Sequence, residues 1–214
     1  PVITEKAQQI VSLAGACTPQ AKARAIFLFV RDGIKFGFTR RFDNASPDET
    51  LRLGVGHCNP QGALFASLLQ AQGIPARQRF VSLSNGVLRG VLSVPPPRLL
   101  HSYEDGGSEK WVRVDGYIAD AVLFHAAKAK LKREDREEGY GVHSAGLIDW
   151  DGESDCFCQM ADERRQVDED LGAFDVPESL YNSPRNFQRL PWFIRLAFGF
   201  FAASSNSWLD AVRA

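Results

Sequence analysis

Cys58, His101 and Asp115 are the residues of this sequence whose types and order could carry out thiol chemistry. A cysteine supplies the nucleophile, a histidine takes and returns the proton, and a carboxylate orients the imidazole and stabilises its charged form. Cys58 alone is a weak signal, because most free cysteines are small buried apolar residues. The three residues together, each next to a predicted helix or strand, indicate a catalytic triad.

Cys58 stands at the predicted N-terminus of a helix. A proline follows two residues later, where the first turn tolerates it, and apolar residues then recur at helical spacing. Gly73 and Pro75 end the helix. Because free N–H groups and the helix dipole favour negative charge at such a position, the pattern predicts a thiolate at Cys58. We therefore expect a thiol alkylator to label Cys58 faster than Cys17.

His101 and Asp115 fall on two predicted strands that are joined by a glycine-containing turn. If Asp105 faces Trp111 across this hairpin, then His101 faces Asp115, and opposed side chains point to the same face about 5 Å apart. The alternating valines of the second strand then lie on the opposite face, toward a core. The sequence thus predicts a register in which the imidazole meets the carboxylate, and a slip of one residue would break it.

The remaining elements follow from capping residues, apolar periodicity and turn residues. Helices are predicted over residues 4–15, 20–32 and 120–138, with a short helix after the cap residue at position 46. Strands are predicted over residues 34–38, 76–83 and 87–94, the last two joined by a tight turn at 85–86. Residues 139–171 fit no pattern.

The composition argues against several classes of protein. The 214-residue chain has a formal net charge of −1, so no basic surface for nucleic acid is expected. Its four cysteines do not form the dense framework of a small secreted domain, and no signal peptide is predicted, so we expect a cytoplasmic protein. No uninterrupted apolar run reaches the roughly 18 residues of a membrane span.

Two segments have alternative interpretations. Cys156-Phe157-Cys158 with His125 or His143 would be a weak zinc signal, because a second spaced pair is missing, and we expect no metal site. The apolar run over 190–203 contains Arg195 and is too short to cross a bilayer. We expect a buried or partner-facing helix there, which is a candidate surface for a homo-oligomer. A helix lying on a membrane surface is the minor alternative.

Four motifs in order resemble the transglutaminase-like superfamily. They are Gly56-His57-Cys58, Gly73-Ile74-Pro75-Ala76-Arg77, His101-Ser102-Tyr103 and Trp111-Val112-Arg113-Val114-Asp115. The resemblance covers residues 20 to 120 and implies an α+β, papain-like transglutaminase core, with N-terminal helices and a nucleophile helix packed on an antiparallel β-sheet. We expect a single domain over residues 1–214, with its core at 20–120 and a C-terminal helical extension at 121–214.

The resemblance also implies acyl chemistry that needs no cofactor. Cys58 would form an acyl-thioester from an amide, ester or thioester of a protein, peptide or small molecule, and an amine or water would take the acyl group. The backbone N–H of Cys58 is the natural first oxyanion donor, and the sequence identifies no second one. Tyr103, Trp111 and His57 are expected to bind the substrate.

Two other functions are compatible with the same residues. If water resolves the acyl-enzyme, the protein is a cysteine peptidase or amidohydrolase, and the choice depends on the C-terminal half. A non-catalytic relative that keeps the fold and binds a protein is the other alternative. The complete triad argues against it, because a binding module has no need of all three groups.

Overall fold

The structure is a computed structural model that describes residues 2–92, 96–106, 111–162, 166–175, 177–181, 183–188 and 192–214. Its helices are α1 (Val2–Leu13), α2 (Pro19–Gly33), α3 (Pro47–Leu53), α4 (Cys58–Gln70), α5 (Ala121–Arg133), α6 (Glu178–Tyr181) and α7 (Trp192–Arg213). Its strands are β1 (Lys35–Phe36), β2 (Val55–Gly56), β3 (Ala76–Ser84), β4 (Arg98–Gly106), β5 (Val112–Val114), β6 (Glu138–Gly139), β7 (Val142–His143) and β8 (Val167–Phe174). The predicted α+β class is confirmed.

The helices α2 and α3 begin where their cap residues predict. The Thr18 hydroxyl accepts the backbone N–H of Ala21, and the Ser46 hydroxyl accepts that of Glu49. Each cap satisfies an N–H that the first helical turn leaves without a partner, which is worth about 1 kcal/mol. Gly54, at a φ of 63°, ends α3 in the left-handed region that glycine adopts most easily. The chain can therefore turn at once into β2 and α4.

A four-stranded antiparallel sheet, in the order β5-β4-β3-β8, supports the site within the described residues. β3 and β4 pair from Ala76 opposite Gly106 to Ser84 opposite Arg98. The predicted tight turn at 85–86 and its return strand are wrong, because residues 85–88 form a 3₁₀ helix. The two apolar side chains of that helix are buried against β3 and β4, and this burial outweighs the local preference for a turn.

β8 adds an edge strand from the C-terminal part of the chain. It pairs antiparallel with β3, from Gln78 opposite Phe174 to Leu83 opposite Val167, with two irregularities in register. The expected helical extension over 121–214 therefore contains the strands β6, β7 and β8 besides its helices. Without β8 the long strand β3 would leave a row of backbone groups unpaired at the sheet edge, which proteins generally cover.

The β4–β5 hairpin differs from the predicted register by two residues. Asp105 faces Arg113 instead of Trp111, and Glu104 faces Val114. A shift of two keeps every side chain on its predicted face, so the valines of β5 still lie in the core. The turn itself, residues 107–110, lies outside the described residues.

The helix α4 lies in the middle of the core. It packs on α1, α2 and α3, and also on β3 and β4. Leu64, Phe65 and Leu68 are fully buried, and each burial contributes about 1.5–3 kcal/mol. Gly62 marks a close approach of helix and sheet, because a Cβ there would lie 2.6 Å from the Gln78 Nε2 atom. The first turn of α4 is thus held against the sheet that carries His101.

The helix α7 extends beyond the predicted apolar run and packs on the β1 end of the core. Arg213 near its end forms a buried ion pair with Asp120 at 2.6 Å. The Asn206 amide bonds to both the backbone N–H and the carbonyl of Phe38. Phe200 on its outer side is 86% exposed, and a homo-oligomer formed through this segment stays a prediction. None of the described helices has the length and apolar character that crossing a membrane requires.

Candidate active site

Cys58 is the first residue of α4, as the sequence predicts, but its side chain is only 3% exposed. Its sulfur lies 3.4 Å from the Asn59 Oδ1 atom and 3.9 Å from the carbonyl oxygen of Leu100. The backbone N–H of Ser102 also bonds to it. Leu100 and Ser102 flank His101 in β4, so the sulfur contacts the backbone on both sides of the candidate base.

Burial keeps the Cys58 thiol protonated in this state. Burial raises its pKa from 9.0 to about 12, and the charges of Asp43 and Asp115 act in the same direction, while the Ser102 N–H opposes them. This rise corresponds to about 4 kcal/mol, whereas a helix dipole contributes roughly 0.3–1 kcal/mol near its end. The predicted thiolate is therefore wrong for the resting protein. Cys17 is exposed whereas Cys58 is buried, and the order in which the two thiols are alkylated stays a prediction.

His101 and Asp115 form a fully buried pair. The distance between His101 Nε2 and Asp115 Oδ2 is 3.0 Å, and neither side chain is accessible to solvent. A carboxylate accepts hydrogen bonds, so Nε2 is the donor, and in the neutral imidazole the other ring nitrogen is the acceptor. That nitrogen, Nδ1, is buried and has no hydrogen-bond partner among the described residues. It is the atom that could take a proton from a thiol.

A loop that the sequence interpretation missed holds Asp115 from its other side. The backbone N–H of Cys158 donates to Asp115 Oδ1, and the Cys158 thiol lies 3.3 Å from the Asp115 carbonyl oxygen. Cys156 adds backbone hydrogen bonds with Arg113, Asp115 and Gly116. The alternation in Cys156-Phe157-Cys158 is the signal that could have indicated an extended segment. Both carboxylate oxygens are therefore engaged, and the orientation toward His101 is fixed.

The same loop explains the Cys-x-Cys motif without a metal. The Cys156 thiol contacts the Leu147 carbonyl oxygen, and the Cys158 thiol contacts that of Asp115. His125 is exposed on α5, whereas His143 is buried and accepts the backbone N–H of Ala145. Among the residues that the structure describes, no group of three or more His, Cys, Asp or Glu side chains could hold a metal ion.

Two predicted substrate-binding residues lie in different environments. Tyr103 is fully buried, with its ring 6.4 Å from that of His101 and 5.5 Å from that of Phe157. Trp111 is half exposed, and the Arg77 guanidinium lies over its ring at 4.4 Å. The structure thus brings Tyr103 beside the candidate base and leaves Trp111 at the surface. Contact of either residue with a substrate stays a prediction.

His57, the third predicted substrate-binding residue, is instead held inside the protein. Its Nε2 atom lies 2.9 Å from Asp43 Oδ1, and its ring stacks on those of Phe38 and Phe42 at 5.4 and 4.8 Å. The Asn59 amide donates to the same oxygen at 2.8 Å. Asp43 was missed by the sequence interpretation, because no local spacing connects its loop to α4.

A cavity of about 460 Å³ lies against the middle and C-terminal end of α4, at Ala66 and Gln70. Its lining includes Asp43, Gln78 and Tyr181. Asn59 bonds to both Asp43 and Gln78, and its Oδ1 atom contacts the Cys58 sulfur. A group bound in this cavity would therefore contact residues that hold the nucleophile turn.

Comparison with known proteins decides the family. The family model described as the transglutaminase-like superfamily matches residues 5–116, which include Cys58, His101 and Asp115. The chain belongs to the transglutaminase-like superfamily. Members of this superfamily are typically thiol enzymes, which supports a cysteine enzyme in general and agrees with the papain-like core expected from the motifs.

The other comparisons give a distant match to this superfamily member among solved structures and none among curated proteins. A crystal structure described as a "Putative Cysteine Protease from Cytophaga hutchinsonii" is similar, with 18% identity and a TM-score of 0.40. The match covers 51% of this chain and 36% of that chain. No curated protein matches the sequence.

Proposed function

We propose that this protein forms an acyl-thioester on Cys58 from an amide, ester or thioester and passes the acyl group to an amine or water. Cys58 is the nucleophile, His101 the general base and acid, and Asp115 the residue that orients His101. The substrate class is a protein, a peptide or a small molecule with such a carbonyl group.

One observation carries the proposal. The Cys58 sulfur lies against the backbone of β4 on both sides of His101, whose imidazole is fixed by Asp115. Within the part of the chain that the structure describes, its Nδ1 atom has no hydrogen-bond partner. This arrangement supplies a thiol, a proton acceptor and a carboxylate in the order that nucleophilic catalysis needs. Membership of the transglutaminase-like superfamily supports the same assignment.

The first step moves one proton and forms one bond. His101 Nδ1 takes the thiol proton while the Cys58 sulfur attacks the carbonyl carbon, so that the charge passes to the carbonyl oxygen. The first N–H groups of α4 have no partner within the helix, and that of Cys58 can donate to this oxygen. The bond to the leaving group then breaks, and the leaving group takes the proton from Nδ1.

The second step reverses these roles. An amine or water loses a proton to His101 Nδ1 and attacks the thioester carbon, and the S–C bond breaks. The sulfur recovers the proton and the thiol is restored. Because the thiol pKa is about 12 at rest, the thiolate forms only with the imidazolium beside it, and a site without water strengthens that ion pair.

Acylation by p-nitrophenyl acetate tests the proposal. We expect release of p-nitrophenol together with the mass increase of one acetyl group on the peptide that contains Cys58. The Cys58→Ala variant should stay folded and should show neither this release of p-nitrophenol nor the acetyl adduct. Cys17→Ala is the matched control, because it removes the exposed thiol and should leave the Cys58 adduct unchanged.

The acceptor is decided in the same assay. Hydroxylamine added to the acyl-enzyme yields acetohydroxamate if amines reach the thioester, and acetate alone indicates hydrolysis. A folded wild-type protein that forms no adduct at Cys58 with this ester, or with an amide or thioester donor, would contradict the proposal and favour a binding role.

A further inference from the structure

One carboxylate oxygen connects the two residues on either side of Cys58. Asp43 Oδ1 accepts a hydrogen bond from the His57 Nε2 atom at 2.9 Å and from the Asn59 amide at 2.8 Å. All three side chains are buried. Because Cys58 lies between His57 and Asn59 in the chain, the position of its backbone depends on this single acceptor.

Loss of either hydrogen bond to Asp43 would cost considerable free energy. Each joins an N–H donor to a carboxylate, and such charge-assisted bonds are stronger than bonds between neutral groups. Removing the acceptor would leave two buried donors without a partner, on the residues before and after the nucleophile. The turn would then move until other groups or water satisfied them.

The loop that carries Asp43 is itself held in place. Phe42 has a φ of 51°, a left-handed conformation that a bulky residue adopts only when its surroundings impose it. Its ring stacks on His57 at 4.8 Å and contacts Phe198 of α7 at 4.7 Å. The helix α7 thus presses the loop of Asp43 against the residue that precedes Cys58.

We propose that Asp43 is a positioning residue for the nucleophile, which holds the first turn of α4 through His57 and Asn59 and keeps the Cys58 sulfur beside His101. The inference rests on the proposed function of Cys58. Asn59 makes the connection direct, because its amide nitrogen bonds to Asp43 while its Oδ1 atom lies 3.4 Å from the sulfur. Asp43 touches no reacting atom and acts only through His57 and Asn59.

The charge of Asp43 affects the pKa of Cys58, whereas its hydrogen bonds affect the position of Cys58, so an experiment can separate the two. The titratable groups around the sulfur include Asp43 and His57 on one side, and His101, Asp115 and Tyr117 on the other. Burial is the main cause of the raised pKa of Cys58, and the negative charges of Asp43 and Asp115 raise it further. Loss of the charge should therefore ease ionisation of the thiol, whereas loss of the hydrogen bonds should misplace it.

Two substitutions separate these effects. Asp43→Ala removes both acceptor and charge, whereas Asp43→Asn keeps one oxygen that can accept both hydrogen bonds. With saturating p-nitrophenyl acetate, we expect Asp43→Ala to acylate Cys58 about 10- to 100-fold more slowly with little change in KM, since misplacement of about 1 Å can cost that much. Asp43→Asn should recover most of this rate and move the pH profile of Cys58 alkylation by iodoacetamide to lower pH.

The exposed Asp48 provides the matched control, and Asp48→Asn should reproduce the wild-type rate and pH profile. A folded Asp43→Ala variant that acylates at the wild-type rate would overturn the inference, as would equal losses in the Asn and Ala variants. If Asp43→Ala does not fold by circular dichroism, His57→Phe and Asn59→Ala each remove one of the hydrogen bonds. Wild-type acylation rates in both would overturn it equally.

Failure of the proposed function would give a different pattern. The wild-type protein would then form no acyl adduct at Cys58, while iodoacetamide alkylation of Cys58 could still be followed by mass. Under that outcome, identical alkylation profiles in wild type, Asp43→Asn and Asp43→Ala overturn the positioning role. A shift in Asp43→Asn together with a different rate in Asp43→Ala supports it.

Discussion

Asp115 lies 3.0 Å from His101, although the two residues do not face each other across β4 and β5. The observed register puts Asp105 opposite Arg113, and its continuation beyond β5 would put Tyr103 opposite Asp115. His101 and Asp115 are therefore diagonal neighbours on one face, a separation that their side chains can span. The Cys158 N–H on the second carboxylate oxygen directs Asp115 along this diagonal.

Replacement of Asp115 by Asn should abolish most acyl transfer with little change in shape. An amide that donates to His101 Nε2 would place the ring proton on Nδ1, where it cannot accept the thiol proton. We expect the acylation rate of Cys58 to fall by about 10³- to 10⁴-fold, as for a triad with the wrong tautomer. Asp168 is exposed, and Asp168→Asn is the control variant. An acylation rate that falls less than about 10-fold in Asp115→Asn would contradict the role assigned to Asp115.

Gly62→Ala should disturb the contact between α4 and the sheet. The added Cβ would lie 2.6 Å from Gln78 Nε2, which cannot move freely because it donates to the Asn59 carbonyl and the Ser102 hydroxyl. We expect a loss of about 1–3 kcal/mol in the free energy of unfolding, measured with urea, and slower acylation of Cys58.

Gly33→Ala is the matched control for this substitution. A Cβ at Gly33 would meet only the Phe29 ring, at an ordinary distance of 3.4 Å or more. We expect no loss in the free energy of unfolding there. Because alanine reduces the conformational freedom of the unfolded chain, the variant should gain about a few tenths of a kcal/mol. Equal effects at both glycines would contradict the close approach.

Buried thiols should make the protein sensitive to alkaline pH. Burial raises the pKa of Cys156 from 9.0 to about 12. A raised folded-state pKa gives stability that is complete below pH 9 and is lost as the pH rises toward 12, because the unfolded state releases its proton first. Each such thiol removes about 1.4 kcal/mol per pH unit in that range. In urea titrations the Cys156→Ala variant should lose stability less steeply with pH than wild type, whereas Cys17→Ala should keep the wild-type slope.

The buried ion pair between Arg213 and Asp120 should contribute to stability at neutral pH. Burial alone would raise the pKa of Asp120, but hydrogen bonds from Arg213 and the Leu123 N–H hold it below its ordinary value. Arg213→Ala leaves this carboxylate without its cation, at a cost of about 3 kcal/mol in unfolding free energy. The difference from wild type should shrink as the pH falls through and below about 4, where the carboxyl is protonated.

Asp210→Ala tests whether this effect belongs to the buried pair. Asp210 bonds to the same guanidinium at 3.0 Å, but its side chain is largely exposed. Exposed ion pairs contribute about 0–1 kcal/mol, so this variant should unfold close to wild type. A loss as large as that of Arg213→Ala would indicate that the charge of Asp120 is not the cause.

Local features of the sequence determined the start of the nucleophile helix and the faces of the strands. The caps at Thr18 and Ser46 and the proline after Cys58 act within one helical turn, so no distant contact is needed to predict them. Alternation along β5 likewise places its valines in the core whether the register is right or shifted by two. The pairing of His101 with Asp115 was predicted for this reason despite the wrong register.

Burial and contacts distant in sequence decided the rest. The thiolate predicted for Cys58 depended on a local helix dipole, whereas the desolvation that raises its pKa comes from all the elements packed around it. Asp43 and Cys158 reach the site from other parts of the chain, at sequence positions that no periodicity relates to Cys58 or Asp115. The sequence by itself determined which residue types are available and which face they take. Only the tertiary structure decided their partners and the protonation of the thiol, because both depend on which groups exclude water around them.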